Sequence, residues 1–395
     1  MASTLTTEFS HLRIPLEVIL KATNNFSDKN IIGKGGFGHV YKGKLKHHSG
    51  DWIKVAARRL NRRYGQGDTE FWTEVSVLSS VNHKNIVPMV GFCDENGEKI
   101  IIYLHYRKGS LNMHLSNTNL TSLQRSEISE GIANAINYLH SLPLMSYHVI
   151  HRNINSSTIL LDDNWVPKLS GFEYSIKHPK DRMTEIYISK PIGTRGYIDP
   201  ETHKIGGVTY KSDVYLMGVV FFEILCGRKA YDPDDADNKF LVQLARSHYE
   251  NKTLRDIIIH HDRLWNDQEY SSKLFHYLSQ AAYDDCTYET GTDRAHTSNV
   301  WGLLHSLINY TKYPNGSSGS GSALTDSVDN NARKPGSFRP KKLVYGERFD
   351  YGQTLTCLIA RLGRNCTRGI MDGRPYGAPH PGFGAPHLYT GALFL

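Results

Sequence analysis

No apolar run in this chain of 395 residues reaches the length that a bilayer demands. The longest, 216–226, carries Glu223 in its middle and fits a buried central helix instead. No charged start followed by an apolar core opens the chain, so no secretory leader is expected. With Met1-Ala2 at the start, N-myristoylation, which needs glycine at the second position, is not expected. Cysteines are few: Cys93, Cys226, Cys286, Cys357 and Cys366 are odd in number, scattered, and without a CxxC pair. Neither a disulfide framework nor a zinc site is expected from them. The 20 histidines show no metal-ligand spacing, and His47-His48 reads as a solvated hairpin turn. The expected place is the cytoplasm, with any approach to the inner face of the plasma membrane made through a partner.

What the chain does have is the composition of a soluble globular protein and a net charge of +7. Its length suits one large two-lobed domain plus extra, or two domains. Residues 31–43 read Ile-Ile-Gly-Lys-Gly-Gly-Phe-Gly-His-Val-Tyr-Lys-Gly, with Gly33, Gly35 and Gly38 in a phosphate-cradling spacing and Val40 after them. Alone this run is weak evidence, but β-type residues flank it, as a strand–loop–strand requires. A second strand, Val55-Ala56-Ala57-Arg58-Arg59-Leu60, follows. The apolar spacing of Phe71, Val75, Leu78 and Val81 predicts a helix over 70–81 that carries Glu74. Downstream come His151-Arg152-Asn153-Ile154-Asn155-Ser156-Ser157-Thr158, then Gly171-Phe172-Glu173, and then Gly193-Thr194-Arg195-Gly196-Tyr197-Ile198-Asp199-Pro200-Glu201. Lys211-Ser212-Asp213-Val214-Tyr215 opens the long apolar stretch, and Arg294 stands late.

In this order and at these intervals the motifs resemble those of the plant receptor-like kinase family, cytoplasmic members included. The phrases Ala22-Thr23-Asn24-Asn25-Phe26-Ser27 and Gly196-Tyr197-Ile198-Asp199-Pro200-Glu201 look like that family specifically. The resemblance covers roughly residues 10–312 and implies an α+β, bilobal protein-kinase-like fold. The expected layout is a juxta-kinase segment 1–28, a β-rich N-lobe 29–103, a mainly helical C-lobe 104–312 and a tail 313–395.

The resemblance also locates departures. Phosphoryl transfer uses a strand Lys, metal ions held by an Asp and an Asn, and an Asp base. Asn153 stands at the base position, and an amide has no basic lone pair at neutral pH. Arg58 stands for the Lys, Thr158 for the metal-binding Asn, Gly171 for the metal-binding Asp and Asn155 for the loop Lys. Gly171 offers no side-chain oxygen to a hard cation. Arg58 is a planar fork rather than a point charge. A slip of register would put Arg59 there, which is also not Lys. Lys54 shares the strand face of Arg58 and is a less favoured recruit. Architecture-bearing residues remain: Glu74 to pair Arg58, Phe172, His151 and Leu78 in the apolar spines, Asp213 to brace the loop, and Glu201 with Arg294 as a buried ion pair. Val40, Ala56, Tyr103 at the gatekeeper position, His105 in the hinge and Leu160 are the expected adenine contacts.

The expectation is therefore a pseudokinase: a scaffold or allosteric partner of an active receptor-like or cytoplasmic kinase, or of an immune receptor. ATP is expected to bind weakly and without metal, and Mg²⁺ is not expected. Thr184, Tyr187, Ser189 and Thr194 are candidate phosphosites, with Arg152 as a phosphate acceptor. An active or weakly active Ser/Thr kinase is the alternative reading. After Tyr310 the pattern changes: 315–322 reads as a flexible Gly/Ser linker, and 313–395 holds +5 of the net +7. Disorder is expected there. A membrane or nucleic-acid adaptor acting through that basic tail is a third reading, with no specific nucleic acid expected.

Overall fold

Strands within 31–59 and 89–104 build the N-lobe sheet. The computed structural model describes residues 7–35, 38–46, 50–60, 67–181, 186–187, 193–235, 238–265, 269–287 and 294–313. These belong to one compact unit, 1–320; the second unit, 321–395, lies outside them, as do nearly all of the linker and basic tail. Strands β1 (Ile31–Gly35), β2 (Gly38–Lys46), β3 (Trp52–Arg59), β4 (Met89–Glu95) and β5 (Glu98–Leu104) form an antiparallel sheet in the order β1-β2-β3-β5-β4. Helix α1 (Leu16–Thr23) covers one face, burying Ile19 against Tyr41, Leu45, Val55, Ala57 and Ile102. The approach is close enough that a Cβ on Gly43 would lie 2.8 Å from the Ala22 carbonyl oxygen. The segment expected to precede the kinase domain is thus part of the N-lobe core.

Helix α2 (Asp68–Ser80) starts where the Glu70 carboxylate accepts the Gly67 N–H at 2.9 Å. It buries Phe71, Trp72, Val75 and Leu78, which confirms the helix expected over 70–81. In the C-lobe, α3 (Ser122–Ser141) begins at a Thr121–Gln124 capping box. The longer helices that follow are α4 (Pro200–Ile205), α5 (Tyr210–Cys226), α6 (Leu241–Glu250) and α7 (Glu269–Thr287), with a single turn at His261–Leu264 before α7; α8 (Thr297–Lys312) closes the described chain. Helix α5 is buried from Ser212 to Cys226 and stops at Gly227, whose φ of +68° suits glycine. It is the central helix expected from the longest apolar run. It packs on α7, and α3 packs on α8. Between the lobes, β6 (Tyr147–Ile150) pairs with β9 (Ile176–Pro179) and β7 (Ile159–Leu161) with β8 (Pro167–Leu169), so the 151–158 loop and the 171–173 triplet emerge side by side.

Candidate active site

The sheet puts Arg58 on the face it shares with its cross-strand partner Val40. From there its guanidinium pairs with Glu74 of α2 and, at 3.3 Å, with Glu173. Both carboxylates are almost fully buried. Burial works against the charge on Arg58, yet Tyr103 and Glu173 hold its pKa above the ordinary value. The neighbouring Arg59 turns away and binds Glu98 through two hydrogen bonds of 2.6 and 2.7 Å. Arg58, not Arg59, is therefore the strand arginine that meets Glu74. Lys54 is exposed and faces Lys44 across the ladder, away from Glu74.

Tyr103 lies opposite Ala56 on β5, and its hydroxyl donates to Glu74 at 2.5 Å. Burial pushes the phenol's pKa up, so it stays a donor. Glu74 is thus held by a strand arginine and by the residue at the gatekeeper position. The β5 end continues into His105, whose N–H donates to the Lys54 carbonyl at 3.1 Å. Its amide is used by the sheet, so the ring and carbonyl are what it can offer a ligand. Gly33, Gly35 and Gly38 lie on β1 and β2, and Gly38 adopts a φ of +106° that glycine tolerates. Val40, Ala56 and Leu160 are half-buried.

Asn153 is 8% exposed, and its side-chain amide donates to Glu173 at 2.9 Å. Its other side-chain atom, Oδ1, accepts from Asn155 at 3.0 Å. Thr158 Oγ1 donates toward the Asn153 and Asn155 carbonyls at 2.9 and 3.0 Å and accepts the Asn155 N–H at 3.1 Å. Gly171 has a φ of +85°, and a Cβ there would lie 2.7 Å from Thr158 Cγ2. The Thr158 methyl group occupies the space that a side chain at 171 would need.

Around this cluster the architectural residues stand where expected. Phe172 is fully buried and meets His151 edge-on, with ring centroids 4.5 Å apart. Asp213 accepts the His151 and Arg152 N–H groups at 2.7 and 2.8 Å and contacts His140 Nε2 at 3.0 Å. Arg152 holds a φ of +70° and donates to the Tyr174 carbonyl at 3.1 Å. Thr194 is exposed, and its hydroxyl lies 3.4 Å from the Asn153 and Asn155 side chains. Thr184 and Ser189 lie outside the described residues. Tyr187 is described only by its backbone pairing with Gly207.

Two features went unforeseen. Arg294 is buried as expected, but its fork sits on Asp199, at 2.6 and 2.7 Å, with Glu201 adding charge to the same cluster. The sequence reading of a Glu201–Arg294 pair is corrected to that extent: Asp199 lies on the buried side of the turn and also caps α4 by accepting the Glu201 N–H at 3.1 Å. The Arg58–Glu173 contact was also missed. The signal was present as paired departures, an extra acid in the 171–173 triplet beside an altered strand cation.

The fold and this ordering of motifs match the protein tyrosine and serine/threonine kinase family over residues 26–281. The chain belongs to that family. It is 38% identical to the receptor-like protein kinase HERK 1 of Arabidopsis thaliana over 305 residues, covering 75% of this chain and 35% of that protein. It is 41% identical to the receptor-like protein kinase ANXUR2 of the same plant over 251 residues, covering 62% of this chain and 28% of that one. With THESEUS 1, also a receptor-like protein kinase of that plant, identity is 36% over 294 residues, 73% of this chain and 33% of the relative. The chain spans about a third of the length of these curated relatives. This kinase-family chain is thus similar to plant receptor-like kinases in its kinase domain. Among the described residues, no helix is long and apolar enough to cross a membrane.

Proposed function

We propose that this chain is a catalytically impaired receptor-like kinase that works as a scaffold or allosteric partner in plant signalling. The observation that carries this reading is the closed charge network Glu74–Arg58–Glu173–Asn153. Phosphoryl transfer needs a cation free to meet phosphate, oxygen ligands for metal and a carboxylate base. Here the cation is committed to two carboxylates, and the residue at the base position is an amide that donates to one of them. Loss of a general base alone costs about 10²- to 10⁴-fold in rate.

The donor set does not suit Mg²⁺ either. Gly171 has no side-chain oxygen, Thr158 Oγ1 is committed to the loop backbone, and the Glu173 oxygens are engaged by Arg58 and Asn153. The glycine loop and the half-buried Val40, Ala56 and Leu160 leave room for weak, metal-free adenine binding. The same network supports the scaffold role, because it holds α2 against the sheet without any ligand.

The assay is transfer of labelled phosphate from ATP, to the chain itself and to a generic Ser/Thr substrate, with Mg²⁺ or Mn²⁺. The expected result is no label above an Arg58→Ala control. Label that vanishes in the control establishes the active-kinase reading, which the intact Arg58–Glu74 pair and the relatives' names favour.

For partners, the reading is an active receptor-like or cytoplasmic kinase, or an immune receptor, that phosphorylates the activation segment. Exposed Thr194 beside Arg152 supports it. Alanine at Thr184, Tyr187, Ser189 and Thr194 together should change partner binding. Unchanged binding and signalling would remove the idea. The place of action is the cytoplasm, reaching the membrane only through such partners.

A further inference from the structure

In a nucleotide cleft the useful cations sit at the inner, phosphate end. In this chain the cation at that end is held by two carboxylates, whereas uncommitted cations line the outer end of the same sheet face. The β2–β3 ladder sets Lys42 opposite Ala56, Lys44 opposite Lys54, and Lys46 opposite Trp52. Directly opposed residues of an antiparallel ladder share a face. These side chains therefore continue outward from Val40 and Arg58. Lys42, Lys44 and Lys54 are exposed, and among the described residues none has a carboxylate partner. Like charges placed directly opposite each other, as in Lys44 and Lys54, destabilise a sheet.

A cavity of about 500 Å³ opens at this place, lined by Lys42, Lys44, Trp52, Lys54, His105 and Arg107 among others. The His105 ring shares this lining with the cations. Burial lowers its pKa first, then Lys42, Lys54 and Arg107 lower it further, and Asp163 opposes them. Asp163 stands 4.0 Å from Arg107, with both side chains largely exposed. Lys21, at the rim, is paired with Glu17. Trp52 is 69% exposed beside the opening.

We propose that this cavity binds a compact ring bearing two or more phosphates: an inositol polyphosphate, free or as the headgroup of a phosphoinositide. Its volume falls in the range of small-ligand sites, roughly 300–1,000 Å³. Lysine ammonium groups act as point charges that meet phosphate from several directions. The lining supplies cations around a concavity rather than the alternating apolar pockets that hold an extended peptide. A rim tryptophan suits a headgroup still attached to a bilayer, because an indole sits at the interface. The proposal stands whether or not the chain transfers phosphate, since it uses neither Asn153 nor Arg58.

The test is titration calorimetry of the full chain with inositol hexakisphosphate at physiological salt. Flotation runs in parallel with phosphatidylcholine vesicles, with and without phosphatidylinositol 4,5-bisphosphate. One saturable site is expected, weakened about tenfold or more by Lys44→Gln with Lys54→Gln. Lys229→Gln with Lys239→Gln, equal in charge change but in the C-lobe, should leave it unchanged. The ladder variant loses an opposed like-charge pair, so its melting temperature should hold or rise, which separates lost binding from unfolding. Trp52→Ala weakening vesicle binding alone assigns the site to the lipid headgroup; equal affinity for the soluble ring in both assigns it to the free ligand. Unchanged affinity in the ladder variant overturns the proposal and moves binding to the basic tail. Equal loss in both double variants, no binding at all, or stronger competition by a doubly phosphorylated peptide overturns it as well.

Discussion

Arg58 of β3 and Glu173, 115 positions apart in the chain, meet at 3.3 Å in the heart of the candidate active site. Glu173 Oε1 also accepts from Asn153, so this one carboxylate satisfies the residues at the Lys and base positions together. Glu173→Gln should cost about 1–3 kcal/mol of stability by removing a buried charged acceptor. It should also free Arg58 toward phosphate. The expected readout is a larger thermal shift with metal-free ATP than the unmodified chain gives. An equal or smaller shift would mean that Glu173 is not what limits phosphate access.

Glu74 answers to a second residue. Tyr103→Phe deletes the 2.5 Å bond to its carboxylate and nothing else in the core. A hydrogen bond to a charged group contributes about 1.5–3 kcal/mol, and urea unfolding should show a loss in that range. Glu74→Ala should cost more, about 3 kcal/mol or above, because it strips one partner from a buried arginine. If the order of the two losses is reversed, Tyr103 rather than Arg58 is the main anchor of α2.

Restoring an aspartate at position 171 should not restore a metal site. Gly171→Asp introduces a Cβ 2.7 Å from Thr158 Cγ2 on a backbone with φ of +85°. A loss of about 1–3 kcal/mol is expected from the strained backbone, with the clash in addition. Adding Thr158→Ser removes the obstructing methyl group and should recover part of it. Chemical denaturation of the single and double variants decides; an unstrained single variant would show that the loop can retreat.

Glu223 gives a pH signature. It is buried on α5, where Oε1 accepts from Ser156 and the Ala230 N–H at 3.1 and 2.9 Å. Burial raises its carboxyl pKa from 4.5 to about 7, against the Tyr197, Ala230 and Ser156 hydrogen bonds. The folded state therefore binds more protons than the unfolded state between those values, and stability falls as pH rises through that window. Below pH 4.5 both states are protonated and the benefit is complete; above about 7 it is gone. The half-buried His83 and His148, each lowered to about 4, work in the opposite direction. The measurement is the stability difference between the unmodified chain and Glu223→Gln from pH 4 to 8. It should shift in favour of Gln as pH rises. A difference that stays flat would place Glu223 in contact with water.

Arg294 and Asp199 offer a test of architecture alone. Asp199→Asn leaves a buried guanidinium without its charged fork and should cost about 3–5 kcal/mol. Glu201→Gln should cost less, since Glu201 acts on Arg294 through its charge beside that fork. The reverse order in thermal unfolding would return the ion pair to Glu201.

Much of this chain was legible from local pattern. β-type residues around the glycine run and at 55–60 predict β2 and β3, the spacing Phe71–Val75–Leu78 predicts α2, and the apolar run at 216–226 predicts α5, because each pattern records burial on one element. The identity of Arg58, Asn153, Thr158 and Gly171 at their motif positions is likewise one-dimensional information. Chemistry that depends on a residue type, such as the absence of a basic lone pair on Asn153, follows from sequence without coordinates. Pairing between distant residues does not. Whether Arg294 places its fork on Asp199 or Glu201, whether Arg58 or Arg59 meets Glu74, and whether Glu173 turns inward are decided by strand register and by which side of a turn is buried. Two acids separated by one residue, or two adjacent arginines, are equivalent in a linear reading. Only the packed backbone decides which of the two meets the buried partner: Arg58 reaches Glu74 while Arg59 pairs with Glu98, and Asp199 takes the Arg294 fork.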